Sequence, residues 1–152
     1  VVPALMGVTC PENVGSILRT AGALGIEQIL LGPGTIDHLA RRVIRVSMGA
    51  ALTQRFYALD DPTKELSTLQ SKFGFRVVAT TLAEDAESID HWHPQGDRLI
   101  VLLGNEASGL DDAIEQIAND RVKIEMKRGV DSLNVSVAAA IFLHELTRHR
   151  RR

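Results

Sequence analysis

The sequence predicts an α/β protein with a mainly parallel sheet flanked by helices, and three observations carry that reading. Strand-sized apolar runs alternate with helix-sized segments along the whole chain. The runs are almost continuously apolar, as strands covered on both faces are. The loops after several of them are rich in Gly, Ser, Thr and Asn, the composition of ligand loops at the carboxyl ends of parallel strands. At 152 residues the chain fits one domain with a substantial core.

Taken in order, Ala4 to Val8 reads as the first strand. Asn13 to Leu24 reads as a helix, with Asn13 as N-cap and Gly25 as its stop. Gln28 to Leu31 is a short strand closed by "GPGT". Asp37 to Val46 is a short arginine-rich helix, and Gln54 to Ala58 a strand. Asp61 and Pro62 open a helix that runs to Phe73 and stops at Gly74. Arg76 to Thr80 and Arg98 to Leu103 read as strands, and the segment between them, with "DHWHPQGD", as turns. Leu110 to Ala118 is a helix with Asp111 and Asp112 in its first turn, where the macrodipole favours acids. Arg121 to Glu125 is a strand. The last helix runs from about Leu133 to His149, with Ser132 as its cap.

Composition narrows the function classes. With 45% hydrophobic and 24% charged residues and no apolar run of spanning length, the chain reads as soluble, not membrane-inserted. The opening residues do not read as a signal peptide. The chain opens on Val1 rather than Met, which leaves room for an upstream domain. Cys10 is the lone cysteine, which excludes an internal disulfide and a cysteine zinc cage and fits a reducing compartment, the cytoplasm. The net charge of -2 excludes a globally basic nucleic-acid binder. Positive charge is local, at Arg41, Arg42, Arg45 and Arg55, and in the tail "RHRRR", which reads as a frayed basic end.

Motifs for several common chemistries are missing. There is no GxGxxG after the first strand, no GxxxxGK[ST] and no GxSxG. His91 and His93 flank Trp92 in a turn-like stretch, and no metal site is expected. Two helices are unusual. The last is apolar all round, from Leu133 to Leu143, and a second subunit is its natural cover. The first groups Gly15, Arg19, Gly22 and Ala23 on one face, and each helical glycine costs roughly 1 kcal/mol relative to alanine. A ligand, a neighbouring backbone or a second subunit must therefore come close there.

Three stretches together resemble one family. "NVGSILRTAGALG", "LLGNEASGL" and "IEMKRGVDSLNVSVAAAIFLHE" are similar in order and spacing to the three motifs of the SpoU-type RNA ribose 2'-O-methyltransferases of the SPOUT superfamily. "RVSMGAAL" is a looser fourth match. The sequence departs from the pattern at Cys10, where relatives often carry Asp, and at Glu125, where they often carry Pro.

The resemblance implies a C-terminal deep trefoil knot, a homodimer with an active site drawn from both subunits, and S-adenosylmethionine bound in the knotted loops. It implies one methyltransferase domain over residues 1–152. Many relatives place a separate RNA-recognition domain before it, and residues 1–152 show none. The cofactor-binding set would be Thr80, Thr81, Leu82, Leu103, Gly104, Asn105, Gly109, Ile124, Met126 and Leu133. The catalytic set would be Asn13, Arg19, Glu106, Ser132 and Asn134. A guanidinium stays protonated, so Arg19 suits electrostatic stabilisation of a forming alkoxide better than proton removal. An ion pair with a carboxylate is the alternative. Glu106 would orient the cofactor loop or an arginine, its own or a second subunit's. Arg41, Arg42 and Arg45 would contact RNA phosphates, of tRNA or rRNA. The alternatives are a SPOUT base methyltransferase and a non-catalytic RNA-binding member of the fold.

Overall fold

The computed structural model describes residues 1–127 and 129–148; His149 and the basic tail Arg150 to Arg152 lie outside them. Seven strands form one parallel sheet: β1 (Val2–Leu5), β2 (Gln28–Leu31), β3 (Arg55–Ala58), β4 (Arg76–Thr80), β5 (Glu87–Ser88), β6 (Leu99–Leu103) and β7 (Asp120–Lys123). The spatial order is β3-β2-β1-β6-β4-β7-β5, with every pair parallel. Among the described residues five helices accompany it: α1 (Pro11–Ala23), α2 (Arg41–Val46), α3 (Pro62–Phe73), α4 (Asp112–Gln116) and α5 (Val135–Arg148). A single 3-10 turn, Ala50–Leu52, follows α2. None of these helices is long and apolar enough to cross a membrane.

Each face of the sheet carries its own core. On one, Val14, Ile17, Leu18 and Ala21 of α1, Val43 of α2 and Phe142, Leu143 and Leu146 of α5 pack with Leu5, Val101 and Leu103. On the other, Leu66 of α3 packs with Ala4, Leu30, Ile100 and Leu102, and Ile114 of α4 and Ile117 beyond it add partial cover. β6 is therefore buried along its whole length, which explains its unbroken "LIVLL".

Several boundaries differ from the expected ones, each for a local reason. The first strand ends at Leu5 because Gly7 turns the chain with a φ of +70°. Val8 is apolar because the loop itself fills the core. Residues 37–40 stay outside α2, since Asp37 accepts the Leu39 N–H at 2.9 Å and holds a turn there. Asp111 is the N-cap of α4, accepting the Ala113 N–H at 2.9 Å, so Leu110 precedes the helix and packs in the second core. The segment expected as turns contains β5, and Ile89 and Trp92 beside it are buried.

On the glycine face of α1, the chain itself requires Gly15 but not Gly22. A Cβ at Gly15 would lie 2.6 Å from Val46 Cβ, so α2 is the backbone that comes close. At Gly22 it would meet Ala50 Cβ at 3.5 Å, an ordinary contact.

Candidate functional site

The loops after β1, β4, β6 and β7 meet at the carboxyl edge of the sheet, beside the point where the chain order reverses across β1. With the start of α5 they enclose a cleft of about 850 Å³. Of the expected cofactor residues, Thr80, Thr81, Leu82, Gly104, Asn105, Gly109, Ile124, Met126 and Leu133 line it. So do Asn13, Glu106, Ser132 and Asn134.

Leu103 does not. It is fully buried in the core of the α1–α5 face, and its contribution is a backbone carbonyl that accepts the Met6 N–H. Arg19 is likewise outside the cleft of its own chain. It is exposed on α1 and makes no hydrogen bond or ion pair among the described residues. Arg41, Arg42 and Arg45 are exposed on α2, where Arg42 pairs with Glu12 at 2.7 Å. Thr9, Cys10, Ala138 and Phe142 also line the cleft. The sequence sets Cys10 apart only as a departure from the family pattern and places none of the four side chains in a cleft, because a loop residue or a helical Ala or Phe looks the same whether it faces a cleft or a core.

The loop after β6 is closed on itself. Asn105 and Gly109 exchange both backbone hydrogen bonds at 2.9 Å. The Asn105 Oδ1 accepts the N–H groups of Ala107 and Ser108, and its Nδ2 donates to the Gly7 carbonyl at 2.7 Å. A Cβ on Gly104 would collide with the Gly109 carbonyl and the Leu110 nitrogen, so this glycine is required by the chain's own crossing.

The closed loop projects Glu106 at the start of α1. Its Oε2 accepts the Thr9 N–H at 3.2 Å and the Thr9 hydroxyl at 3.3 Å; its Oε1 accepts the Cys10 N–H at 3.1 Å and Asn13 Nδ2 at 2.9 Å. Glu106 therefore faces neither Arg19 nor only its own loop. It supplies the anion at the N-terminus of α1, where Cys10 is the N-cap and makes no side-chain cap bond. Partial burial pushes the Glu106 carboxyl up. The bonds from Asn13 and from the N–H groups of Glu106, Cys10 and Thr9 outweigh it and hold the group below the usual carboxylate range. It is ionised at neutral pH and a poor proton donor.

Asn13 is not a helix cap. It is buried inside the first turn and continues the chain of bonds, its Oδ1 accepting from Asn134 Nδ2 at 2.9 Å. Asn134 then caps α5 by accepting the Ser136 N–H at 2.9 Å, the role expected of Ser132, which is exposed. The two ends fix every amide orientation. Glu106 can only accept and the Ser136 N–H can only donate, so both asparagines must point one way. Glu106, Asn13, Asn134 and Ser136 thus tie three distant segments into one directional row along the cleft.

A model of the SpoU rRNA methylase family matches residues 1–144. The chain belongs to the SpoU rRNA methylase family. It is 41% identical over 154 residues to an uncharacterised tRNA/rRNA methyltransferase of Mycobacterium tuberculosis (strain ATCC 25618 / H37Rv), covering 97% of this chain and 51% of that protein. A 23S rRNA (guanosine-2'-O-)-methyltransferase of Acinetobacter baylyi is 33% identical over 147 residues, 97% of this chain and 59% of that protein. The AdoMet-bound rRNA methyltransferase from Sinorhizobium meliloti matches with a TM-score of 0.87 at 31% identity, over 97% of this chain and 56% of that one. The chain spans about half the length of the curated relatives it matches. Both positions at which the sequence departs from the SpoU pattern have local partners. Cys10 gives Glu106 its backbone N–H and directs Sγ to Glu12, and Glu125 is exposed and pairs with Lys123 at 3.4 Å.

Proposed function

We propose that residues 1–152 form a methyltransferase domain that uses S-adenosylmethionine to methylate a ribose 2'-hydroxyl of tRNA or rRNA. The observation that carries this is the row Glu106–Asn13–Asn134, which joins the three SpoU segments along the wall of the cleft. The naming of relatives as guanosine-2'-O-methyltransferases supports the ribose over the base.

The cleft suits the cofactor. Leu82, Ile124, Met126, Leu133 and Phe142 offer an apolar wall for an adenine, beside loop backbone that can hydrogen-bond its edge. When bound, S-adenosylmethionine supplies an electrophilic methyl on a sulfonium. In this reading Asn134 and Asn13 position the ribose, since each amide is locked and pre-oriented, and such alignment lowers the barrier by several kcal/mol, roughly. Glu106 orients the row and the start of α1. Ser132 faces the same cleft with its hydroxyl free of any bond among the described residues.

Arg19 serves the cleft of a second copy in this account. Its exposure outside its own cleft supports that, as do the apolar side chains Val137 and Ile141 left exposed on α5 and Met48 and Leu52 after α2. A homodimer would cover them, and Arg19 would stabilise charge on the ribose oxygen without taking its proton. We extend the reading to a knotted C-terminal third. The place of β7 between β4 and β5 in the sheet, with the chain leaving β7 for α5, supports this reading. Arg41, Arg42 and Arg45 hold RNA phosphates in this reading, and the compartment is the cytoplasm.

Calorimetric titration with S-adenosylhomocysteine tests the cofactor site. One site per chain, weakened at least tenfold by Leu133→Asp, supports the proposal. No binding by the parent protein contradicts it.

A further inference from the structure

The loop "GPGT" reads as plain turn chemistry in the sequence, and Thr35 does not line the cleft. Its hydroxyl nevertheless makes two bonds to the loop that does. It accepts the Gly7 N–H at 3.0 Å and donates to the Leu5 carbonyl at 2.8 Å. The same Gly7 peptide unit region is gripped from the other side, where Asn105 Nδ2 donates to the Gly7 carbonyl at 2.7 Å. Gly7 lies at a φ of +70°, and a Cβ on Gly34 would meet its Cα at 3.6 Å, so the turn sits close to the "GPGT" loop as well as to the loop of Asn105. Ile36 adds a backbone bond to the Val8 carbonyl at 3.0 Å. The next residues, Thr9 and Cys10, are those whose N–H groups meet Glu106.

We propose that Thr35 is a positioning residue for the methyl-transfer site: by holding Gly7 against Asn105 it aims Thr9 and Cys10 at Glu106 and keeps the Glu106–Asn13–Asn134 row in register. The proposal rests on the methyltransferase reading for its kinetic part and on geometry alone for its structural part. Leu5 keeps a second donor, the Gly32 N–H at 2.8 Å, so losing the hydroxyl strands chiefly the Gly7 N–H. Among the described residues, the loops expected to hold the cofactor, 80–82, 103–109 and 124–133, do not bond Thr35.

The test compares Thr35→Val, which keeps shape and loses both bonds, with Thr35→Ser, which keeps the hydroxyl. Amide hydrogen exchange at Gly7, Thr9 and Cys10 is expected to quicken at least tenfold in Thr35→Val and to return near the parent rate in Thr35→Ser. Thr35→Ala reads the same exchange should Thr35→Val not fold. Turnover on unmodified transcripts of 23S rRNA and tRNA is expected to fall at least tenfold in kcat. KM and S-adenosylhomocysteine affinity should stay within threefold, and Thr35→Ser should recover kcat. Parental exchange in Thr35→Val, no recovery in Thr35→Ser, or parental kcat despite faster exchange each overturns the proposal. A parent protein that binds no S-adenosylhomocysteine and methylates neither RNA instead overturns the methyltransferase reading, and the exchange result still decides the grip on Gly7.

Discussion

Replacing Glu106 with Gln probes the junction between the β6 loop and α1. From Thr9, Cys10 and Asn13 the carboxylate accepts four hydrogen bonds, two of them from backbone N–H groups at the start of α1. Glutamine has one acceptor oxygen. If that oxygen serves Asn13 and Cys10, the new amide NH₂ faces the Thr9 N–H, donor against donor. The variant loses at least one backbone bond and the charge at the helix N-terminus. Bonds to a charged group are worth about 1.5–3 kcal/mol and the dipole interaction about 0.3–1 kcal/mol. Glu106 is exposed, so solvent screening puts the expected loss at about 1–2 kcal/mol. For a chain of this size that lowers Tm by about 2–8 °C. Trp92 is the sole tryptophan and is buried, so its fluorescence reports unfolding in urea without a label. The difference between parent and variant also depends on pH. The folded carboxyl titrates below its unfolded value, so its stabilisation is complete above the ordinary carboxylate pKa. It fades as pH falls through the depressed folded value. Equal stability of the two proteins at pH 7, or a gap that stays constant into strong acid, would refute the reasoning.

The other predictions use the same structural detail. Gly15→Ala should destabilise by about 1–3 kcal/mol through overpacking against Val46, despite alanine's better helix propensity, whereas Gly22→Ala should be neutral or stabilising by up to about 1 kcal/mol; urea midpoints of the two variants check the opposite signs. Gly104→Ala should abolish S-adenosylhomocysteine binding, because its Cβ collides with backbone that cannot yield, and calorimetry at parental affinity would contradict this. Arg41→Ala with Arg45→Ala should weaken RNA binding and lower the slope of log K against log salt by about 1–2 units, read by filter binding across salt. Arg42 should matter less, since Glu12 already pairs with it.

The order of elements and the loops that form the cleft were legible because strand, glycine loop and helix recur with clear local chemistry. What sequence could not show was pairing across distance. Nothing near Glu106 says that its partners lie at Thr9, Cys10 and Asn13. Asn13 has the composition of a cap and is a bridge, and Asn134 takes the capping role assigned to Ser132. Leu103, whose side chain lies in the core, is a different case. β6 is buried on both faces, so period-two alternation, which would have told core side chains from cleft ones, is absent. β5 has two residues and, among the described residues, pairs only with β7, too little pattern to stand out from a turn. Gly15 shows that something must come close to α1, but identifying α2 required the fold.

The central claim is that this cleft carries methyl transfer to ribose. The most direct measurement is nucleoside mass spectrometry of unmodified 23S rRNA and tRNA transcripts after incubation with the protein and S-adenosylmethionine. A 2'-O-methylated nucleoside is expected, absent without the protein and reduced at least tenfold by Asn134→Ala. A methyl group on a base, or no methylated nucleoside from either RNA despite cofactor binding, would contradict it.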